Sequence, residues 1–309
     1  MLPFKIVFHP DYDLDLGPHV FPSKKFKMIH DALLQENIAE PSDFQQPQPA
    51  ADEDVLRVHT PDYVRKLQTD SLSLSERMKL EIPLSDTTRQ GFWLAAGGSI
   101  LAGRLALRDG LAANLSGGFH HAYPGHGEGF CMLHDVAIGI RALQAAGSVR
   151  TAMVVDTDVH HGNGTAAIFA NDASVFTLSI HQENNYPTPK PPSDEDIGLE
   201  DGTCDAEYLD ALDEGLQHSL KKISPDIMFY VAGADPYRED QLGGLALTFE
   251  GLQKRDKLVF ERARRLGIPV ASTLAGGYAS RVADTVRIHV NTIIAARDTA
   301  LQSRPEHRK

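Results

Sequence analysis

Short apolar runs alternate with longer amphipathic stretches along the chain. Six runs, at residues 5–8, 113–115, 152–156, 175–180, 227–232 and 270–274, are apolar at nearly every position. Near-continuous apolarity over three to six residues marks strands covered on both faces. Apolar positions spaced three and four apart predict helices over 93–107, 136–146, 207–222, 249–266 and 282–301. Strands and helices in alternation predict an α/β fold, one doubly wound domain over residues 1–309 built on a mainly parallel sheet. Two segments, 40–54 and 186–205, carry proline, glutamine and acids without periodicity and are expected to be loops. The second is long for a plain connection, which marks it as functional.

The polar residues are not spread evenly over this pattern. His120 and His121 follow the run 113–115 and a glycine pair. Asp156, Asp158, His160 and His161 end or follow 152–156. Ser179 and His181 close 175–180, Asp235 follows 227–232, and Gly276, Gly277 and Tyr278 follow 270–274. All five groups fall at the carboxyl ends of strands, where open α/β sheets bind ligands.

Composition narrows the chemistry. The hydrophobic fraction is 42% and the charged fraction 23%, ordinary for a soluble enzyme. The net charge of -12 opposes nucleic-acid binding and leaves basic substrates favoured. Cys131 and Cys204 form no CxxC pair, so a disulfide scaffold is excluded. Neither a signal peptide nor a membrane span is expected, and the location expected is cytoplasmic. Nothing in the sequence sets an oligomeric state. Trp93 reads as a core residue, Cys131 as buried near the site and Cys204 as a loop thiol, and the polar tail after Gln302 is expected to fray.

The segment Asp156-Thr157-Asp158-Val159-His160-His161-Gly162-Asn163-Gly164 carries the strongest signal. In an extended chain Asp156, Asp158 and His160 share one face. Carboxylate oxygen with imidazole nitrogen suits Zn²⁺ or Fe²⁺ better than Ca²⁺ or Mg²⁺. Asp235 is the third ligand we expect. Three protein ligands leave a position open for water, the pattern of a catalytic site. Adjacent His120 and His121, freed from strand alternation by two glycines, suit general acid–base work on such a water. Asp156 can orient one of them. Tyr278, behind two glycines, can offer a phenol donor to an oxyanion.

Together these pieces resemble the histone deacetylase family, within the arginase/deacetylase fold and near its bacterial, class IV-like branch. The resemblance rests on GGFHHA at 117–122, GEGFC at 127–131, DTDVHHGNGT at 156–165, AGAD at 232–235 and AGGY at 275–278. It implies a sheet of eight strands and a hydrolase that removes acetyl or longer acyl groups from lysine side chains of proteins. Asp158, His160 and Asp235 then bind Zn²⁺, with Fe²⁺ as the alternative. His120 and His121 serve the attacking water, one as general base and one as electrostatic partner or general acid. Asp156 partners His120, and Tyr278 polarises the amide carbonyl. Gly129, Phe130 and Tyr186 line the acyl-lysine channel. A structural K⁺ is implied at Asp156, Asp158, His160, Ser179 and Ile180.

The sequence also departs from the family pattern. Asn163 stands where several members carry an acid, so His121 is expected to be less cationic. Met132-Leu133-His134 replaces a more usual aromatic and Asn, which alters the pocket under Cys131. For the rim residue that grips the substrate backbone, the sequence offers Asp86. An acetylpolyamine hydrolase is the rival enzyme reading, with Glu195, Asp196 and Asp201 as acids for the channel mouth. A non-catalytic acyl-amine sensor ranks below it, because the ligand set and the tyrosine are intact.

Overall fold

Eight strands order themselves in the computed structural model, which describes residues 1–302; residues 303–309, the tail expected to fray, lie outside the described residues. They are β1 (Lys5–Val7), β2 (Phe44–Gln45), β3 (Leu111–Asn114), β4 (Ala152–Asp156), β5 (Val175–Gln182), β6 (Glu195–Leu199), β7 (Ile227–Val231) and β8 (Val270–Thr273). Every pairing is parallel, in the order β2-β1-β3-β8-β7-β4-β5-β6. The central strands β4 and β7 are buried at all positions. Continuous apolar runs therefore lie at the middle of the sheet, where neither face meets water.

Ten α-helices accompany the sheet among the described residues: α1 (Lys25–Gln35), α2 (Asp52–Val55), α3 (Pro61–Gln68), α4 (Leu74–Leu80), α5 (Asp86–Asp109), α6 (Asp135–Ala145), α7 (Asn163–Phe169), α8 (Asp205–Lys222), α9 (Phe249–Leu266) and α10 (Val282–Leu301). Helix α5 packs on α6 and on β1, β3 and β8, while α10 packs between α9 and α1 and α9 also meets α8. No helix among the described residues is long and apolar enough to cross a membrane.

The structure corrects the sequence expectations at several elements. The segment 186–205 is not wholly a loop, because Glu195–Leu199 pairs with β5 as an edge strand. Its burial alternates, which a search for unbroken apolar runs passes over. The segment 40–54 likewise holds β2 and the start of α2. Helix α5 starts at Asp86 rather than near Trp93, capped by the Ser85 side chain on the Thr88 N–H. Trp93 is only half-buried, and its ring N–H donates to Asp52. Asp158 and His160 do not extend β4, which ends at Asp156.

Candidate active site

Four loops following the neighbouring strands β3, β8, β7 and β4 build one cavity. After β3 the chain turns through Gly117 (φ 88°) and Gly118 (φ 74°). A side chain there is strained, and a methyl group on Gly117 overlaps the Asp135 carboxylate. That carboxylate accepts from the N–H groups of Gly118 (3.1 Å) and Phe119 (2.9 Å) and so pins the turn. The turn delivers His120 and His121 side by side, with ring centroids 4.0 Å apart.

After β4 the chain leaves extended geometry, and the three acidic and imidazole side chains separate. Asp156 turns one oxygen to His120 Nδ1 (2.7 Å) and the other to the Asp158 N–H (3.1 Å). Asp158 and His160 instead meet Asp235 from the loop after β7. His160 Nδ1 lies 3.0 Å from Asp158 Oδ1 and 3.5 Å from Asp235 Oδ2. One ligand atom from each of the three lies within 4.8 Å of the others, and all three residues are buried. The shared-face argument for Asp156, Asp158 and His160 is thus replaced by a loop that splits them between two roles.

The trio fits a divalent cation. Asp235 Oδ2 is buried without any hydrogen-bond partner, which is costly unless a cation or proton meets it. Asp158 Oδ2 accepts from Gly276 N–H (2.9 Å) and Asp235 Oδ1 from Val159 N–H (2.9 Å), so backbone donors aim the remaining oxygens. Burial alone lowers a histidine, but Asp158 and Asp235 push His160 up to about 10. A proton on His160 neutralises the pair in the way a metal ion does. Burial and Asp158 together push Asp235 up to about 7. His120 is pushed up to about 9, because Asp156 and Asp158 outweigh its burial. Burial beside His120 and His160 holds His121 well below the usual histidine range, in line with the weak cationic character read from Asn163.

Arg255, wholly buried, ties the loops after β4 and β7 together. It donates to the Gly233 carbonyl (2.6 Å) and the Thr157 carbonyl (3.3 Å) and pairs with Asp256 (2.7 Å). Lys25, also buried, donates to the Ala275 carbonyl at 2.6 Å. Burial lowers it to about 8 against the opposing pull of Asp235, Asp158 and Asp240. Asp240 accepts the Tyr278 N–H at 2.6 Å and holds that tyrosine over the cavity. None of Asp135, Asp240, Lys25 or Arg255 reads as functional from the sequence. Each is a lone residue whose partners lie far away in the chain.

Two compartments meet at His121, Gly129, Phe130 and Tyr278. The outer one opens to the surface past Tyr186, Glu81 and Leu242 and has a volume of about 220 Å³. The inner one, bounded by Asp158, His120, Phe119 and Phe21, has about 20 Å³. A wider groove of about 1000 Å³ runs beside the mouth from Leu74 and Met78 on α4 to Pro191.

At the rim the expectation for Asp86 is corrected. It sits exposed at the start of α5 and pairs with Arg89. Glu81, the left-handed cap of α4, borders the mouth instead, and burial raises its carboxyl. The acids offered for a polyamine mouth are also elsewhere. Glu195 pairs with His218 and Lys222, Asp196 with His161, and Asp201 accepts from Gln182. A second cluster, His161, His181 and Asp196, lies under β6. His161 Nδ1 has no partner there, whereas ligating histidines donate their second N–H to an acceptor. We read the cluster as a brace between the loop after β4 and the sheet edge. Cys131 is buried beside Gly129, and Cys204 is exposed at the start of α8. Buried His134, in the altered segment, bonds to Thr165 Oγ1 through Nε2 (2.8 Å).

Comparison with known proteins gives one consistent result. A family model described as the histone deacetylase domain matches residues 19–293. An uncharacterised protein of Picosynechococcus sp. is 42% identical over 296 residues, covering 96% of this chain and 99% of that one. A protein of Archaeoglobus fulgidus named as a probable deacetylase is 32% identical over 292 residues, covering 88% of this chain and 80% of the other. The crystal structure of an HDAC homologue from Aquifex aeolicus matches with a TM-score of 0.81 at 27% identity, over 98% of this chain and 85% of that one.

Proposed function

The chain belongs to the histone deacetylase family, and from that premise we propose that it is a Zn²⁺-dependent hydrolase that removes acetyl groups from lysine side chains of peptides and proteins. The observation that carries the reading is the convergence of Asp158, His160 and Asp235 at the wall of a cavity that also holds His120, His121 and Tyr278. Zn²⁺ is the ion we assign to the trio, with Fe²⁺ as the alternative. When bound, such an ion polarises the amide carbonyl and lowers the pKa of water to ~7.

The remaining work falls to the chain itself. His121, kept neutral by burial, takes a proton from the attacking water. His120, held cationic by Asp156, stabilises the negative charge that develops beside it. The Tyr278 hydroxyl donates to the oxyanion. The proton taken up by His121 goes to the leaving nitrogen as the C–N bond breaks, giving a carboxylic acid and an amine, and the acid's proton passes to the amine so that carboxylate and ammonium leave. The structural K⁺ reading uses Asp156, Asp158, His160, Ser179 and Ile180. It is supported by Asp156 and Ser179 being register partners across β4 and β5.

Two features support this choice of substrate. A carbonyl held at the reactive centre has its amine side in the outer compartment, which leads past Tyr186, Glu81 and Leu242, and its acyl side in the smaller inner one. A space of about 20 Å³ holds one water-sized group, which favours acetyl over long acyl chains. The groove beside the mouth, with exposed Leu74 and Met78, suits a polypeptide better than a free polyamine. The acetylpolyamine reading keeps one support, the Glu81 carboxylate at the mouth. The test incubates zinc-loaded protein with acyl-lysine peptides from acetyl to myristoyl and with acetylspermidine, using Asp158→Ala as control. We expect the acetyl peptide to be the best substrate and turnover to vanish in the control. A best rate on myristoyl peptide or acetylspermidine overturns the substrate assignment, and no turnover by metal-loaded protein overturns the hydrolase.

A further inference from the structure

A chain of hydrogen bonds runs from the buried histidine pair to the channel mouth. His121 Nδ1 lies 2.6 Å from Asn163 Oδ1, and Asn163 Nδ2 lies 2.6 Å from Glu128 Oε1. The same Glu128 oxygen accepts from the Tyr186 hydroxyl at 2.9 Å, and Glu128 Oε2 meets His126 Nε2 at 3.0 Å. His121 and Asn163 are buried, and the Glu128 side chain is 16% exposed.

The donor and acceptor roles along this chain follow from one fact. An asparagine amide accepts at one end and donates at the other, so either end can face a histidine. A carboxylate only accepts. Glu128 therefore draws the NH₂ end of Asn163 towards itself and leaves the carbonyl end for His121. A carbonyl at 2.6 Å requires an N–H on His121 Nδ1. In a neutral imidazole the lone pair then stays on Nε2. With Glu128 absent, the amide is free to turn over and donate to Nδ1. That stabilises the opposite tautomer, in which Nε2 carries the hydrogen and accepts no proton.

We propose that Glu128 is a positioning residue that sets the tautomer of His121 through Asn163, so that the neutral ring presents Nε2 as the base. The tautomer rests on the hydrogen-bond chain, and its effect on rate rests on the hydrolase reading above. The carboxylate also fixes the hydroxyl of Tyr186, whose ring meets the His121 ring edge-on at 4.9 Å between centroids. One side chain thus links a wall of the channel to the base.

The tautomer is measured directly by long-range ¹H–¹⁵N correlation on ¹⁵N-histidine-labelled, zinc-loaded protein, with the His121 signals assigned by their loss in His121→Ala. The unmodified protein is expected to hold its hydrogen on Nδ1. In Glu128→Ala the Nε2–H form is expected to appear. Its kcat on the acetyl peptide should fall roughly 10- to 100-fold, part of what general base catalysis supplies, with KM within about threefold. Asn163→Asp added to Glu128→Ala places an accept-only group next to His121. That double variant should recover both the Nδ1–H tautomer and most of kcat. An Nε2–H ring in the unmodified protein overturns the proposal even where Glu128→Ala does not fold. So does an unchanged tautomer in Glu128→Ala, or a double variant without recovery. Should no acylated amine be turned over by any form, the hydrolase reading fails and the tautomer comparison still decides the role of Glu128.

Discussion

Tyr278 is held by its backbone and by the rings of Phe21 and Phe130 rather than by its hydroxyl. Asp240 accepts its N–H, and Gln241 donates to its carbonyl at 2.8 Å. Removing the hydroxyl therefore leaves the loop in place. Tyr278→Phe is expected to lower kcat by about 100- to 1000-fold, the usual loss of one oxyanion donor, while the bound metal stays at one per chain. Normal turnover in this variant removes Tyr278 from the mechanism. At this scale the sequence is most informative where chemistry-bearing residues cluster in short motifs. Asp158, His160 and Asp235 follow from motif and strand position, and the fold brings them together. Glu81 escapes a sequence reading, which offers Asp86 in its place, because a lone acid between two helices carries no motif, and its nearness to the mouth depends on how α4 ends.

At the scale of the element, the loops after the strands carry the site, and their glycines decide how closely they pack. Gly276 sits where a methyl group overlaps carboxylate oxygens of both Asp235 and Asp158. Gly276→Ala must push the two carboxylates apart. Metal affinity should fall by roughly 10- to 100-fold, the range for disturbing groups that orient ligands, with little change in the melting temperature of metal-free protein. Equal metal affinity in titrations of the two proteins shows that the loop accommodates the methyl. The sequence identifies this glycine pair as a tight turn but not what the turn avoids. That requires Asp158 and Asp235 to arrive from two other strands. The same limit hides β6, whose half-buried alternation reads as polar loop until β5 is placed beside it.

Across the whole molecule, buried histidines make stability depend on pH. His59, between α2 and α3, is buried with Nδ1 3.0 Å from the Tyr123 carbonyl and Nε2 accepting the His134 N–H at 3.0 Å. Burial lowers it from 6.5 to about 4, against the pull of the carbonyls. The folded chain keeps the ring neutral where the unfolded chain protonates it. Its stabilising contribution is full above pH ~6.5, is lost as pH falls towards 4 and changes no further below, about 3 kcal/mol in all. Urea unfolding at pH 7 and pH 4 should show a smaller drop for His59→Gln than for the unmodified chain, and equal drops exclude His59 as the acid-sensitive group. The sequence by itself determined the class of the fold, the strands at the centre of the sheet and the residues to which the proposed function gives the metal and the water. Burial on both faces and metal chemistry each impose a pattern on neighbouring positions, and such patterns survive in a linear reading. Only the tertiary structure decided the order β3-β8-β7-β4, which sets four distant loops side by side. It alone decided the partners of Asp135, Asp240, Lys25 and Glu128, because each is a lone residue whose key contact lies far away in the chain and leaves no periodicity behind.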